Sequence, residues 1–296
     1  MNNYISLING EFKDSISVLD RGLSYGDGFF ETMIWEYEDR KDKDFQGVEF
    51  WNRHLRRIET GCKLTKINFP NSKLLRRYRE KILSKAYAEG LSKGLLKIII
   101  TRGVGGRGYK YENKMMPTII FLVFPKSEID EKFYKRGVVV RYCKSSLFQN
   151  KELFGLKHLN RLDSVIARSE WTEDFFEGVF LDHKSNLVEG TMTNIFFVKN
   201  KTLYTPPIVG NGIYGIMRKV VIEKARLFYD DIKIMNVNKE KLKKYDEMFV
   251  TNSVIKIMPV KRLGKKKFNI SDRTKGLIDF FFIENKIEKK KRLEFF

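Results

Sequence analysis

The sequence predicts a mixed α/β chain in two lobes, and three observations predict it. Strand-like runs of branched residues alternate with helix-like apolar periods through the first half. A polar and charged stretch, Pro125 to Lys135, then breaks the pattern. A second series of strands and helices follows it. The expected division is a smaller N-terminal α/β domain over 1–124, a linker over 125–136 and a larger C-terminal domain over 137–296. The chain has 296 residues, 42% of them hydrophobic. That is enough for a sizeable core, and it excludes a disordered or collagen-like chain.

Tyr4 to Ile8 reads as the first strand and Asn9-Gly10 as a hairpin turn, since both residues accept the positive φ a tight turn needs. Ser24-Tyr25-Gly26-Asp27-Gly28 reads as a turn into the apolar run Phe29 to Trp35. Trp51, Leu55, Ile58 and Cys62 recur at helical spacing and mark an amphipathic helix. Leu74, Leu75, Tyr78, Ile82 and Ala86 mark a second, with Asn71 or Ser72 as its cap and Gly90 as its stop. Leu95 to Thr101 and Thr118 to Phe124 are rich in branched residues and read as strands.

In the second lobe Val138 to Tyr142, Val179 to Asp182, Asn194 to Val198 and Met248 to Thr251 read as strands. Leu159, Leu162, Ile166 and Ser169 predict one helical face. Gly215 opens a helix whose apolar face is Met217, Val220, Val221, Ala225 and Phe228, and Leu277 to Ile283 reads as a late helix.

Composition narrows the function. The longest clean apolar run, Ile119 to Phe124, is far below the ~20 residues of a membrane-spanning helix. Met1-Asn2-Asn3-Tyr4 has neither a basic nor an apolar leader region, so no signal peptide is expected. Two cysteines, Cys62 and Cys143, cannot build a disulfide framework or a four-ligand zinc site, and a reducing cytoplasm is the expectation. The net charge is +20, from 57 Lys and Arg against 37 Asp and Glu. It suits nucleic acid or an anionic substrate. However, it is spread along the chain, with short runs only at Lys265-Lys266-Lys267 and Lys289-Lys290-Lys291-Arg292. Without a recognisable binding module it reads as solvated surface.

Several motifs carry chemistry. Gly103-Val104-Gly105-Gly106-Arg107-Gly108 matches a dinucleotide fingerprint in letters, yet Tyr109 to Met116 has no helical period to present amides to a pyrophosphate. It reads instead as a glycine-rich loop carrying Arg107 and Tyr109 over a site, the arginine suited to clamp a carboxylate. His54, His158 and His183 are too few and scattered for a metal site, and no G-x-S-x-G supports a serine triad. Lys157 lies between Leu156 and Leu159, where partial burial would favour the nucleophilic free amine. Glu189 precedes a strand and has the charge to pair with a protonated pyridine nitrogen. The helix start at Gly215-Ile216-Met217-Arg218 offers N–H groups to a phosphate. Thr251-Asn252-Ser253 adds short polar donors, and Arg57 a counter-charge beside the apolar stripe of its helix.

Together these segments resemble the fold type IV PLP enzymes, which include branched-chain and D-amino-acid aminotransferases and 4-amino-4-deoxychorismate lyases. The resemblance runs from Ile8-Asn9-Gly10 to Met258-Pro259-Val260, through Asp20-Arg21-Gly22, Tyr25-Gly26-Asp27-Gly28, His54-x-x-Arg57, the Lys157 segment, Glu189-Gly190-Thr191, Gly212 to Arg218 and Thr251-Asn252-Ser253. Two segments are similar to the lyases of the group: Arg102-Gly103 to Gly108-Tyr109, and Lys157-His158-Leu159-Asn160-Arg161-Leu162. Glu189 to Asn194 is as similar to the aminotransferases.

The resemblance implies a two-domain α/β (α+β) fold of the D-amino-acid aminotransferase type, a C-terminal domain that binds pyridoxal 5'-phosphate, and a homodimer. It implies that Lys157 carries the cofactor and is the general base. Glu189 would keep the pyridine nitrogen protonated. Arg57, Thr193, Asn194, Ile216, Met217, Asn252 and Ser253 would complete the cofactor site, and Phe30, Arg107, Tyr109 and His158 would meet the substrate. The implied reaction converts 4-amino-4-deoxychorismate to 4-aminobenzoate and pyruvate; amino-group transfer on D- or branched-chain amino acids is the alternative.

Overall fold

The computed structural model describes residues 4–37 and 47–281. The chain divides into two compact units, Met1–Glu128 with Leu156–Arg161, and Ile129–Gly155 with Leu162–Phe296.

The first unit contains β1 (Ile5–Ile8), α1 (Arg21–Tyr25), β2 (Gly28–Glu36), α2 (Trp51–Leu64), α3 (Ser72–Ala88), β3 (Lys93–Thr101) and β4 (Thr118–Pro125). Its sheet has the order β1-β4-β3-β2 and every pairing is antiparallel. β2 and β3 pair from Gly28↔Thr101 to Glu36↔Lys93 without a slip. One face of β2 buries Phe29, Glu31, Met33 and Trp35, and β3 buries Leu96, Ile98 and Ile100. On the opposite face Phe30, Thr32 and Ile34 are half-buried. Helices α2 and α3 pack against the sheet with the expected apolar stripes, and Asn71 caps α3 by accepting from Leu74 N at 2.8 Å. Asn9 and Gly10 take φ of 52° and 88°, the tight turn expected after β1.

Two readings change here. The segment expected as a plain turn at Ser24–Gly28 begins as the last part of the one-turn helix α1, capped by Asp20 and ended by Gly26 at φ 63°. The helix expected to include Leu159 does not reach it. Residues 157–159 instead pair with the outer edge of β2 through an antiparallel bridge of His158 to Phe29: Phe30 N donates to Lys157 O at 3.0 Å and Leu159 N to Gly28 O at 3.0 Å. The apolar spacing at 159, 162 and 166 is therefore not a buried helical face.

The second unit contains α4 (Glu131–Arg136), β5 (Val138–Tyr142), α5 (Leu162–Arg168), β6 (Glu177–Leu181), β7 (Asn186–Gly190), β8 (Asn194–Lys199), β9 (Thr202–Thr205), α6 (Ile216–Lys224), β10 (Asp231–Ile234), β11 (Val237–Asn238), β12 (Glu247–Asn252), β13 (Lys256–Leu263) and β14 (Lys266–Lys267). Its sheet runs β10-β9-β8-β12-β13-β5-β6-β7-β11, with β14 on β13. A core of Val138, Val140, Val179, Ile195, Phe197, Val250 and Met258 fills one side.

Four differences from the sequence reading stand out. Part of the stretch read as a linker is helical, as α4. α5 leaves Leu162, Val165 and Ile166 exposed at 74%, 61% and 56%. β13 was hidden by its Pro259 and by Lys256, which opens it at φ 58°. The α6 stripe ends in a 3₁₀ turn at Ala225–Leu227, short of Phe228. Residues 272–281 are helical; Ile283 and the basic run at 289–292 lie outside the described residues. Among the described residues no helix is long and apolar enough to cross a membrane.

Gly26 ties α1 to the 157–159 segment. A Cβ there would meet Asn160 Oδ1 at 2.5 Å, and Asn160 Nδ2 donates to Gly26 O at 3.1 Å. Gly26→Ala combines a left-handed backbone with that clash and is expected to lower the unfolding free energy by about 1–3 kcal/mol. Denaturant titration checks this; an unmoved midpoint would show that Asn160 gives way freely.

Candidate active site

The first unit brings Lys157 and Phe30 together. The main chain of Lys157 is fixed by Phe30 N, and its Nζ lies 4.3 Å from the centre of the Phe30 ring. Lys97, two residues along β3 from the Ile99 that faces Phe30, places its Nζ 5.2 Å from the same ring, and burial lowers the basicity of its ammonium. His158 forms a bridge to Phe29, and its Nε2 is 3.2 Å from Arg161 Nη2.

Behind Phe30, on the buried face of β2, Glu31 meets α2. Arg57 donates to it through Nε at 2.7 Å and Nη2 at 2.6 Å, and His54 Nδ1 lies 2.5 Å from Oε2. Arg57 is therefore a partly buried ion-pair partner. Burial alone would raise the Glu31 carboxyl, but Arg57 and His54 outweigh it and hold it at about 2. Burial lowers the His54 pKa more than Glu31 raises it, so His54 is neutral and donates from Nδ1. Glu31 carries no local signature, because its partners lie 23 and 26 residues downstream.

The glycine loop is anchored at its stem. Arg102 donates to both Asp27 oxygens, at 2.7 and 3.0 Å, and to the carbonyls of Thr65 and Lys66. Arg21 donates to Asp27, Gly108 O and Tyr109 O, while Tyr25 Oη accepts from Gly108 N at 2.9 Å. Arg107 and Tyr109 are exposed, and Tyr109 packs on Tyr25. No helix follows the glycines, in line with rejection of the dinucleotide motif.

In the second unit Glu189 is buried at the end of β7. Its Oε2 accepts from Ile213 N at 2.8 Å and from Asn194 Nδ2 at 3.2 Å. Asn194 also donates to Ile213 O. Gly215 is the N-cap of α6, where no side chain closes the helix, so the first-turn N–H groups around Ile216 and Met217 have no such competitor. A Cβ on Gly215 would collide with Asn194 Oδ1.

The Thr193 hydroxyl donates to Glu177 at 2.9 Å. Asn252 turns its side chain to its own hairpin, accepting from Val254 N and Ile255 N, and donates to Met192 O at 3.2 Å. Beside Ser253 stands Lys256, which the sequence reading passed over. It is buried, donates from Nζ to Ser253 O at 3.1 Å, and is lowered by burial to about 7.

A family model for amino-transferase class IV matches residues 28–263, most of the chain and both sets of candidate residues. The chain belongs to that family. Among its relatives, the aminodeoxychorismate lyase of Vibrio harveyi is 29% identical over 254 residues, covering 86% of this chain and 89% of that protein. The D-alanine aminotransferase of Bacillus licheniformis is 26% identical over 269 residues, 86% of each. The crystal structure of 4-amino-4-deoxychorismate lyase from Pseudomonas aeruginosa superposes with a TM-score of 0.82 at 33% identity, over 93% of this chain and 97% of that one. The mixed helix and strand architecture expected for a class IV enzyme is thus the one found.

Among the described residues no group of His, Cys, Asp and Glu could hold a metal ion. Burial pushes the Cys62 and Cys143 thiols up to about 12, which leaves both unreactive.

Glu31→Gln leaves Arg57 without its buried counter-charge and is expected to cost about 3–5 kcal/mol at neutral pH. The folded Glu31 titrates at about 2, below the ordinary 4.5. Its contribution is therefore complete above pH 4.5 and is lost as pH falls toward 2. Unfolding titrations across that window should show a steeper acid loss in the parent protein than in the variant; parallel curves would refute the pair.

Proposed function

We propose that this class IV protein is a pyridoxal-phosphate-dependent lyase that converts 4-amino-4-deoxychorismate to 4-aminobenzoate and pyruvate, a step of folate biosynthesis. The observation that carries the proposal is the 33% identity, over nearly the whole of both chains, to a lyase named for that substrate. The lyase-like loop from Arg102 to Tyr109 and the Lys157 to Leu162 segment support it.

The donor set suits the cofactor. An aldehyde needs a primary amine, which Lys157 provides. A pyridinium needs a carboxylate, which Glu189 provides from a buried position. A phosphate needs main-chain amides, and the α6 start offers them without a competing side-chain cap. On this reading Ile216, Met217, Ser253 and Arg57 hold the phosphate. Thr193 and Asn252 contribute by shaping the main chain, because their side chains are engaged elsewhere. Asn194 holds the Glu189 carboxylate in place.

When bound, the cofactor supplies an electron sink for charge developing at the amine-bearing carbon of the substrate. Lys157 Nζ takes the proton from that carbon, C4. The C3–O bond breaks, and the departing enolpyruvyl group gains a proton at its methylene to become pyruvate. Loss of both substituents leaves an aromatic ring, which favours elimination over return of a proton to the cofactor. Phe30 lines the amine's surroundings, and His158, Arg107 and Tyr109 are assigned to the substrate, whose two carboxylates suit an arginine. The protein is read as a cytoplasmic homodimer with a small-molecule substrate and no nucleic-acid partner.

The protein supplied with 4-amino-4-deoxychorismate alone is expected to release pyruvate and 4-aminobenzoate in equal amounts. Turnover that appears only with 2-oxoglutarate would replace the lyase by an aminotransferase. Lys157→Ala is expected to lower turnover by at least ~10²–10⁴-fold while the unfolding midpoint stays put; retained activity would remove Lys157 from the proton transfer.

A further inference from the structure

Glu177 opens β6 with no exposed surface. Its carboxylate accepts five hydrogen bonds, all from neutral donors. Oε1 takes Gly178 N at 2.9 Å, Thr191 N at 3.0 Å and Thr191 Oγ1 at 2.6 Å. Oε2 takes Met192 N at 3.1 Å and Thr193 Oγ1 at 2.9 Å. Four of the five come from the three-residue loop between β7 and β8. That loop separates Glu189, near the end of β7, from Asn194, the first residue of β8.

Further bonds hold the loop around this anchor. Gly190 N donates to Thr193 O at 2.7 Å, and a Cβ on Gly190 would strike Thr193 Oγ1. Met192 O receives Asn252 Nδ2. Asn194, set by Thr193 before it, donates at once to Glu189 Oε2 and Ile213 O.

We propose that Glu177 is a positioning residue for the cofactor site, acting through Thr193 and Asn194 to hold the Glu189 carboxylate in its working orientation. The proposal rests on the reading of Glu189 as the partner of the pyridine nitrogen. An ordinary buried carboxylate would need only to be satisfied. This one gathers its donors into the link between two site residues. No isosteric neutral group does the same, because an amide keeps one acceptor oxygen and turns an N–H toward donors on the other side. Burial pushes the carboxyl up while the hydroxyl and amide donors pull it back.

The test is a double-mutant cycle on the cofactor-loaded protein, with Glu177→Gln, Asn194→Ala and both together. Two quantities are read: the dissociation constant for pyridoxal 5'-phosphate, and the pH midpoint of the bound cofactor's visible absorbance. Each single variant is expected to weaken cofactor binding at least tenfold and to move the midpoint. The double variant should be little worse than the worse single one.

Strictly multiplicative losses, or a Glu177→Gln protein with unchanged midpoint, would overturn the assignment. If Glu177→Gln does not fold, Thr193→Val removes one donor of the same link and should shift the midpoint in the same direction; an unshifted midpoint rejects the proposal. Failure of the parent protein to bind pyridoxal 5'-phosphate would instead remove the functional reading beneath it, and the proposal with it.

Discussion

The main-chain pairing of residues 157–159 with the edge of β2 is the constraint that sets where Lys157 lies in the first unit. A lysine side chain has four rotatable carbons and positions itself poorly. Here the main chain is held as if it were a fifth strand, with Phe30 N donating to Lys157 O and Leu159 N donating to the carbonyl of Gly28. The pairing demands a close approach. A Cβ on Gly28 would meet Ile100 O at 2.5 Å and Leu159 Cδ1 at 2.9 Å. On the buried face Gly61 of α2 makes the matching concession to the Phe29 ring. Strand alternation does the rest: Phe29 goes into the core and Phe30 stays on the other face, 4.3 Å from Lys157 Nζ.

Two buried carboxylates show two ways of keeping a charge out of water. Glu31 is met by a guanidinium, and the attraction overcomes burial, so its carboxyl is held far below the ordinary range. Glu177 has five donors, all of them neutral, and burial wins, so its carboxyl moves up. The contrast matters for function. Glu31 binds one element to another, α2 to β2, and its loss is a stability event. Glu177 binds a loop to itself, and its loss would be felt first in the orientation of the residues that loop carries.

Much of this was legible in the sequence, for identifiable reasons. The stripes of α2 and α3 and the branched runs of β3 and β4 bury the residues their periodicity selects. The glycine loop was separated from a nucleotide fingerprint because no helical period follows it. The misread segment at 157–166 shows the limit of periodicity. Leu159 belongs to an edge pairing, and Leu162 and Ile166 to a short helix whose apolar side is exposed, so one spacing spans two unlike structures. Glu31 and Glu177 stayed hidden because their partners lie 14 to 26 residues away in sequence, and only a fold brings them near. Lys256 was hidden differently, as a charged residue in a left-handed position that local rules reserve for glycine.

The parts assigned to the cofactor cannot decide between elimination and amino-group transfer, because both need an amine, a pyridine partner and a phosphate cradle. The choice has to come from what meets the rest of the substrate. In this chain the glycine loop, assigned to that task on the proposed reading, is bonded unevenly. Asp27 joins Arg21 to Arg102 at its base, and Arg102 also stacks 3.7 Å from the Tyr111 ring. Arg107 and Tyr109 stand out at the tip. A stem so heavily bonded fixes where the tip side chains begin, and their exposure leaves them able to bind. On the proposed reading, specificity for a substrate with two carboxylates is therefore carried by a few residues on a heavily bonded base, while the cofactor-holding parts serve either reaction.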